Sequence, residues 1–169
     1  MASNRLFRVG TLAACLVTVM AEPAGAAPRA VIGSGPDFVY GTNPLSGATA
    51  TVSAADLGSD ATQLALAVSG IAAPAGTEFG AHLHVNPCGA TPAAAGGHYA
   101  QSGVESDALR RREVWLDFVV DANGNGRAVA TREWTPTNRP DRSVVIHAVG
   151  TDHETGVAGA RLACIDLDA

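Results

Sequence analysis

Four histidines are the residues whose types and spacing most directly indicate chemistry. His82 and His84 stand two apart in a β-prone segment, so both rings point to one face of a strand and offer a bidentate platform for a metal. His98 follows two glycines, which let the chain bend so that its ring returns to that face. His147 stands in a β-branched run, where a buried imidazole needs a partner. Such a nitrogen-rich set suits copper or zinc, and square-planar nitrogen ligation favours Cu(II).

Each of these histidines also has a structural interpretation. Alone, His82 or His84 would be a residue on the surface of a strand, and His147 a hydrogen-bonded histidine of the core. The fifth histidine, His153, stands in a turn-like segment and is expected on the surface, and Asp117 is interpreted as a solvated strand residue. The metal hypothesis therefore depends on the fold bringing the four rings together.

The elements that must position these rings are short strands. Eight segments alternate apolar with polar residues or are rich in β-branched residues, and turn signals separate them. The predicted strands are 38–40, 48–54, 63–68, 81–85, 113–121, 127–134, 143–149 and 160–167. The run 121–126 (DANGNG) predicts a hairpin turn, and 86–112 a long Gly/Pro/Ala-rich loop of the kind that often has a function. We predict an all-β fold, an antiparallel sandwich or barrel.

The N-terminal segment has the pattern of an export signal. Arg5 and Arg8 precede an apolar run that is too short for a membrane span, and small residues follow at a cleavage site. We therefore predict a signal peptide over 1–26, a flexible lead-in over 27–37, and one domain over 38–169 in a secreted or periplasmic protein.

A lipid anchor is the competing interpretation of this segment. The run ending at Cys15 (LAAC) has the look of a lipobox, which would make Cys15 the anchored residue. Against this, the apolar run before Cys15 is very short and continues beyond it.

The formal net charge is −5 and the sequence has no basic stripe, so no nucleic acid partner is expected.

Cleavage of the signal would leave two cysteines, Cys88 and Cys164. Two cysteines in an exported protein predict one disulfide, and two free thiols are the alternative. The disulfide would close a loop of about 77 residues, worth roughly 4 kcal/mol in the chain-entropy model.

Four motifs together resemble those of copper/zinc superoxide dismutases. Gly80-Ala81-His82-Leu83-His84 resembles the family's G-x-H-x-H segment, and Gly97-His98 its metal-bridging histidine. Val144-Val145-Ile146-His147-Ala148 is similar to the strand with the last copper ligand. Ala158-Gly159-Ala160-Arg161-Leu162-Ala163-Cys164 is similar to the A-G-x-R-x-A-C signature, the most specific of the four. The resemblance spans about 38–167.

The resemblance implies a fold and an activity. The fold would be an eight-stranded antiparallel Greek-key β-barrel with one intramolecular disulfide, and the enzyme would disproportionate superoxide to oxygen and hydrogen peroxide with one copper per chain. His82, His84 and His147 would hold copper, His98 would stand at the bridging position, and Arg161 would attract the anionic substrate. In that mechanism His98 also takes up a proton and returns it to the nascent peroxide.

The chain departs from the family pattern in two places. After His98 the segment 99–113 contains no histidine, so the usual zinc ligands are missing and zinc is expected to be absent. Only thirteen residues separate His147 from Arg161, where the family has a longer charged loop, so we expect a more open copper site. Both departures resemble the family's copper-only branch. We hypothesise that Glu113 replaces zinc by holding the tautomer of His98.

Other functions remain compatible with the same residues. An extracytoplasmic copper buffer or carrier would use the same four histidines without turnover. A zinc hydrolase would need three histidines and a bound water, but the sequence shows no general base at a clear spacing. A barrel without activity is the third alternative, and the survival of all four histidines together with Arg161 argues against it.

Overall fold

A computed structural model describes residues 30–58, 60–104, 108–137 and 141–168. These residues form ten strands, a short 3₁₀ helix and a one-turn α-helix. The strands are β1 (Ala30–Gly35), β2 (Phe38–Val39), β3 (Thr49–Asp56), β4 (Thr62–Ser69), β5 (Glu78–Phe79), β6 (Ala81–His84), β7 (Phe118–Val119), β8 (Gly126–Arg132), β9 (Ser143–His147) and β10 (Arg161–Asp166). The 3₁₀ helix is Pro92–Ala95 and the α-helix, α1, is Leu109–Arg112.

The strands form two antiparallel four-stranded sheets and one two-stranded pair. The first sheet has the order β1-β3-β4-β8, the second β2-β10-β9-β6, and β5 pairs with β7. In β4 every second side chain is buried, including Leu64 and Leu66, and both join one core with Ile146 of β9 and Ile165 of β10. The prediction of an all-β antiparallel fold is confirmed.

Residues 30–35, which fall within the predicted flexible lead-in 27–37, form a regular strand. Ala30–Gly35 forms β1, which pairs antiparallel with β3. A Cβ at Gly33 would lie 2.5 Å from the carbonyl oxygen of Asp166, so glycine permits the close approach of β1 to the end of β10. Gly33 thus permits close packing between the first and the second sheet. The predicted signal peptide, 1–26, lies outside the described residues.

The predicted strand 113–121 is mostly irregular, and only Phe118–Val119 is a strand. The rest of it still runs antiparallel beside β6, where Trp115 forms an isolated bridge with His82. The ladder is interrupted because the backbone N–H of Ala81 donates to the Asp117 carboxylate, at 3.0 Å, in place of a main-chain carbonyl. Asp117 is thus a structural partner of β6, which the sequence did not indicate.

The turn at 121–126 forms, but it does not close a hairpin. Asp121 Oδ1 accepts from the backbone N–H groups of Asn123 and Asn125, as an Asx turn does. The strands that the turn joins lie in different sheets, since β7 pairs with β5 and β8 with β4.

The disulfide predicted between Cys88 and Cys164 is present. It joins the start of the loop 86–112 to β10, the strand that also contains Arg161. The disulfide therefore fixes the beginning of this loop to the second sheet, where Cys164 is fully buried. Among the residues described, no helix is long and apolar enough to span a membrane.

Candidate metal centre

Strand pairing brings the four histidines together. His82 and His84 lie on β6, and β6 pairs with β9, which ends at His147. The backbone N–H of His147 donates to the carbonyl of Gly80, which fixes the end of β9 beside the start of β6. The long loop supplies His98, whose backbone forms an isolated bridge with His84.

The four rings converge on one point. One ring nitrogen from each histidine can be chosen so that all four lie within 4.8 Å of one another. His82 and His84 are fully buried and His147 is 4% exposed, whereas the His98 side chain is 20% exposed. The cluster is therefore closed on three sides, and His98 forms its solvent-facing side.

Two of the rings are oriented by backbone carbonyls. His84 Nδ1 lies 3.0 Å from the Gly96 carbonyl oxygen, and His147 Nδ1 lies 3.2 Å from that of Gly159. A carbonyl only accepts, so each Nδ1 bears the proton and each Nε2 keeps its lone pair. These two Nε2 atoms face each other at 3.4 Å. Two facing lone pairs need a cation between them, and this donor set therefore fits a metal ion.

The ring of His82 has the reverse arrangement, in which Nε2 and not Nδ1 faces a hydrogen-bond partner. Its Nε2 lies 2.7 Å from Thr151 Oγ1, and its Nδ1 is buried without a hydrogen-bond partner. A buried, unpartnered ring nitrogen is costly unless a ligand satisfies it. The atoms available to a metal are therefore Nδ1 of His82 and Nε2 of the other three histidines.

His98 is held by a carboxylate. Its Nδ1 lies 3.0 Å from Glu113 Oε2, and the same oxygen accepts from Trp115 Nε1 at 2.7 Å. Burial raises the pKa of Glu113, but the hydrogen bonds from His98 and Trp115 outweigh it, so the pKa is lowered overall. Glu113 is thus an ionised acceptor that keeps the proton of His98 on Nδ1.

The three buried rings are neutral at physiological pH. Burial, with a smaller contribution from the neighbouring charged groups, lowers the pKa of His82 to about 2 and that of His84 to about 3. Burial also lowers the pKa of His147 to about 4, against the opposing effect of the Gly159 carbonyl. Neutral imidazole is the form that binds metals, so these three rings need no deprotonation before a metal can bind.

Arg161 lies beside the cluster, opposite His147 in the β9–β10 pairing. Its guanidinium donates to two loop carbonyls, from Nη1 to Pro92 at 2.6 Å and from Nη2 to Gly96 at 2.5 Å. The Gly96 carbonyl also accepts from His84. Arg161 therefore places a positive charge next to two of the histidines and fixes the loop that orients one of them.

The short segment between β9 and β10 covers part of the cluster. A Cβ added at Gly156 would lie 3.8 Å from both His98 Nδ1 and the Trp115 ring, so the segment packs directly over these side chains. The segment thus covers the Nδ1 side of His98, away from the nitrogen that joins the cluster. His153, from the same segment, is exposed and lies against Trp115 with ring centroids 5.8 Å apart.

Within the described ranges, a second group of potential ligands consists of Asp37, Cys88 and Asp166. The sulfur of Cys88 is in the disulfide, so this group lacks its thiolate. No second histidine-containing group was found among the described residues.

The sequence did not indicate that Thr151 and Asp117 belong to the site. Thr151 Oγ1 donates to Asp117 Oδ1 at 2.8 Å while accepting from His82. Thr151 lies thirty residues beyond the predicted strand 113–121, and neither its residue type nor its spacing predicts a contact with His82. Asp117 could have been suspected only from its position opposite β6.

The fold is similar to solved structures of low sequence identity. The clock protein EA4 matches with a TM-score of 0.59 and 17% identity, covering 88% of this chain and 99% of its own. A SOD-like protein from Bacillus subtilis matches with a TM-score of 0.56 and 12% identity, covering 82% of this chain and 97% of its own. No curated protein matches the chain.

The sequence also matches a family model. The model of copper/zinc superoxide dismutase (SODC) matches residues 47–165, which include all four clustered histidines, Arg161 and both disulfide cysteines. A match over this much of the chain agrees with the four-histidine site and with the all-β fold. The chain therefore belongs to the copper/zinc superoxide dismutase family.

Proposed function

We propose that this protein is an exported, copper-dependent superoxide dismutase of the copper-only kind. The observation that supports this most strongly is the convergence of four imidazole nitrogens whose opposite ring nitrogens, in all four cases, have a hydrogen-bond partner. Such orientation of ligands by outer partners is typical of metal sites. Family membership supplies the substrate, superoxide.

One copper per chain would be held by His82, His84, His98 and His147. Four neutral nitrogen donors suit copper, which is the metal that such sites favour. When bound, copper supplies the one-electron couple by which one superoxide is oxidised to oxygen while a second, taking up two protons, is reduced to hydrogen peroxide.

His98 is the proton-handling residue of this proposal. Its ring is the most exposed of the four, so its Nε2 can exchange a proton with solvent or with the reduced substrate. Glu113 keeps the other proton on Nδ1, at 3.0 Å, so exchange is confined to Nε2. Glu113 thus takes the orienting role that zinc has in the family, and we propose that no zinc is required.

Arg161 would attract the substrate. Superoxide and the protein are both negative, with a formal net charge of −5 for the chain, so a local positive charge is needed at the site. The hydrogen bonds to Pro92 and Gly96 hold the guanidinium in place beside the cluster. A fixed cation loses less conformational freedom on binding the anion than a mobile one does.

We also propose that the protein acts outside the cytoplasm. The signal-like pattern over 1–26 supports export, and the disulfide between Cys88 and Cys164 is typical of an oxidising compartment. A lipid anchor at Cys15 would leave the protein on the same side of the membrane.

A copper buffer or carrier is the second candidate function. The burial of His82, His84 and His147 favours it, because a metal held by three buried rings would be released slowly. Copper titration of the zinc-free protein, followed by superoxide decay on the same sample, separates the two candidates. One tightly bound copper with rapid decay supports the dismutase, and one tightly bound copper with decay at the metal-free rate supports the buffer.

A further inference from the structure

We propose that Thr151 is a positioning residue that fixes the tautomer of His82, through a hydrogen-bond relay to Asp117, so that Nδ1 of His82 faces the metal. The inference rests on the proposed metal site but concerns a residue outside the ligand set. The relay has two links, His82 Nε2 to Thr151 Oγ1 at 2.7 Å and Thr151 Oγ1 to Asp117 Oδ1 at 2.8 Å.

The direction of the relay follows from the number of protons available. A carboxylate accepts only, and the Thr151 hydroxyl has one proton, which it donates to Asp117. Thr151 must then accept from His82, so the ring proton lies on Nε2. The opposite tautomer would place an N–H at Nδ1, a buried atom with no acceptor, and a buried donor without a partner is destabilising.

The relay is fixed at both ends independently of His82. Asp117 also accepts from the backbone N–H of Ala81, at 3.0 Å, so its carboxylate is fixed to β6. Thr151 is 8% exposed, and a Cβ at Gly80 would lie 2.8 Å from its hydroxyl oxygen. Glycine at position 80 therefore allows the β9–β10 segment to bring Thr151 close enough to reach the ring.

The carboxylate end of the relay opens to solvent. Asp117 is 28% exposed and lines a cleft of about 450 Å³ together with Glu78, Thr151 and His153. Its charge is thus partly hydrated, while the histidine end is fully buried. The direct distance from His82 Nε2 to Asp117 Oδ1 is 3.7 Å, too long for a hydrogen bond, so the threonine hydroxyl is required to join them.

The four rings give an internal contrast for a test. His84, His98 and His147 are all expected as the Nδ1–H tautomer, because their Nδ1 atoms face carbonyl or carboxylate oxygens. His82 alone among them is expected as Nε2–H. Long-range ¹H–¹⁵N correlation spectra of the metal-free protein distinguish the two tautomers directly, without copper and without a variant.

Two substitutions then test the role of the hydroxyl. Thr151→Val keeps the shape and removes the hydroxyl, so His82 should populate both tautomers and copper affinity should fall roughly 10–100-fold. Thr151→Ser keeps the hydroxyl and should retain the wild-type tautomer and affinity. Thr155→Val, in the same segment, removes a hydroxyl that donates to Asp152 and contacts none of the four histidines, so it should change neither.

Two results would overturn the proposal: His82 as Nδ1–H in the wild-type protein, or a folded Thr151→Val variant with unchanged tautomer and copper affinity. If Thr151→Val does not fold, the wild-type spectrum and the serine variant still decide the tautomer. If the wild-type protein binds no copper, the proposed function fails, while the tautomer pattern is measured independently.

Discussion

The carboxylate of Glu113 accepts a hydrogen bond from the ring of His98, with Oε2 3.0 Å from Nδ1. Trp115 donates to the same oxygen, so Glu113 is itself fixed before it orients the ring. His98, the one partly exposed ring of the cluster, therefore has an outer partner that belongs to the protein.

Glu113→Gln should weaken copper binding and slow superoxide decay, each roughly tenfold or more. The amide retains an acceptor but loses the negative charge, so it holds the Nδ1–H tautomer of His98 less strongly. Competition against a copper chelator gives the affinity, and stopped-flow decay gives the rate. Glu133→Gln is the matched control, because Glu133 is exposed and lies outside the cluster. Equal affinity and rate in wild type and Glu113→Gln would rule out this role.

Replacement of Arg161 by Gln should slow superoxide decay about tenfold while copper stays bound. The wild-type rate should fall as ionic strength rises, and this dependence should be weaker in the Gln variant, because the attracting charge has been removed. Arg161→Lys keeps the charge and should keep most of the salt dependence. Arg127→Gln, on the exposed side of β8, serves as the control. A salt dependence that is identical in wild type and Arg161→Gln would contradict the steering role.

Reduction of the Cys88–Cys164 disulfide should lower the free energy of unfolding by about 4 kcal/mol, since the cross-link spans 76 residues. Urea unfolding with and without a reductant measures this difference in the wild-type protein. The double variant Cys88→Ala/Cys164→Ala should not respond to the reductant. An unfolding midpoint that the reductant leaves unmoved in the wild type would show that the cross-link contributes little.

The metal-free protein should lose stability as the pH falls from about 7 to about 4. The pKa values of His82, His84 and His147 are lowered to about 2, 3 and 4, whereas the unfolded chain titrates near 6.5. The unfolded state therefore binds more protons in this window, and each ring contributes up to about 1.4 kcal/mol per pH unit. Urea unfolding of the metal-free protein at pH 7 and pH 5 measures the loss, and equal free energies of unfolding at the two pH values would contradict this expectation.

The sequence predicted the strands that hold the site better than the side chains that orient it. Alternation indicated β4, which has one face against the core, and β-branched residues indicated β9, which is buried throughout. His82 and His84 follow the two-residue spacing of a strand in β6. Contacts between distant segments left no such signal. Gly33 looked like a loop residue although it permits close packing of β1, and Thr151 reaches His82 from 69 positions away.

Stopped-flow superoxide decay, with the protein loaded with one copper equivalent and no zinc, decides between a dismutase and a copper-binding protein without turnover. A dismutase should give a decay far faster than that of His147→Ala prepared in the same way, because His147 contributes one of the four converging nitrogens. Added zinc should leave the wild-type rate unchanged. A wild-type rate equal to that of His147→Ala, with copper still bound, would rule out the dismutase and favour a copper buffer or carrier.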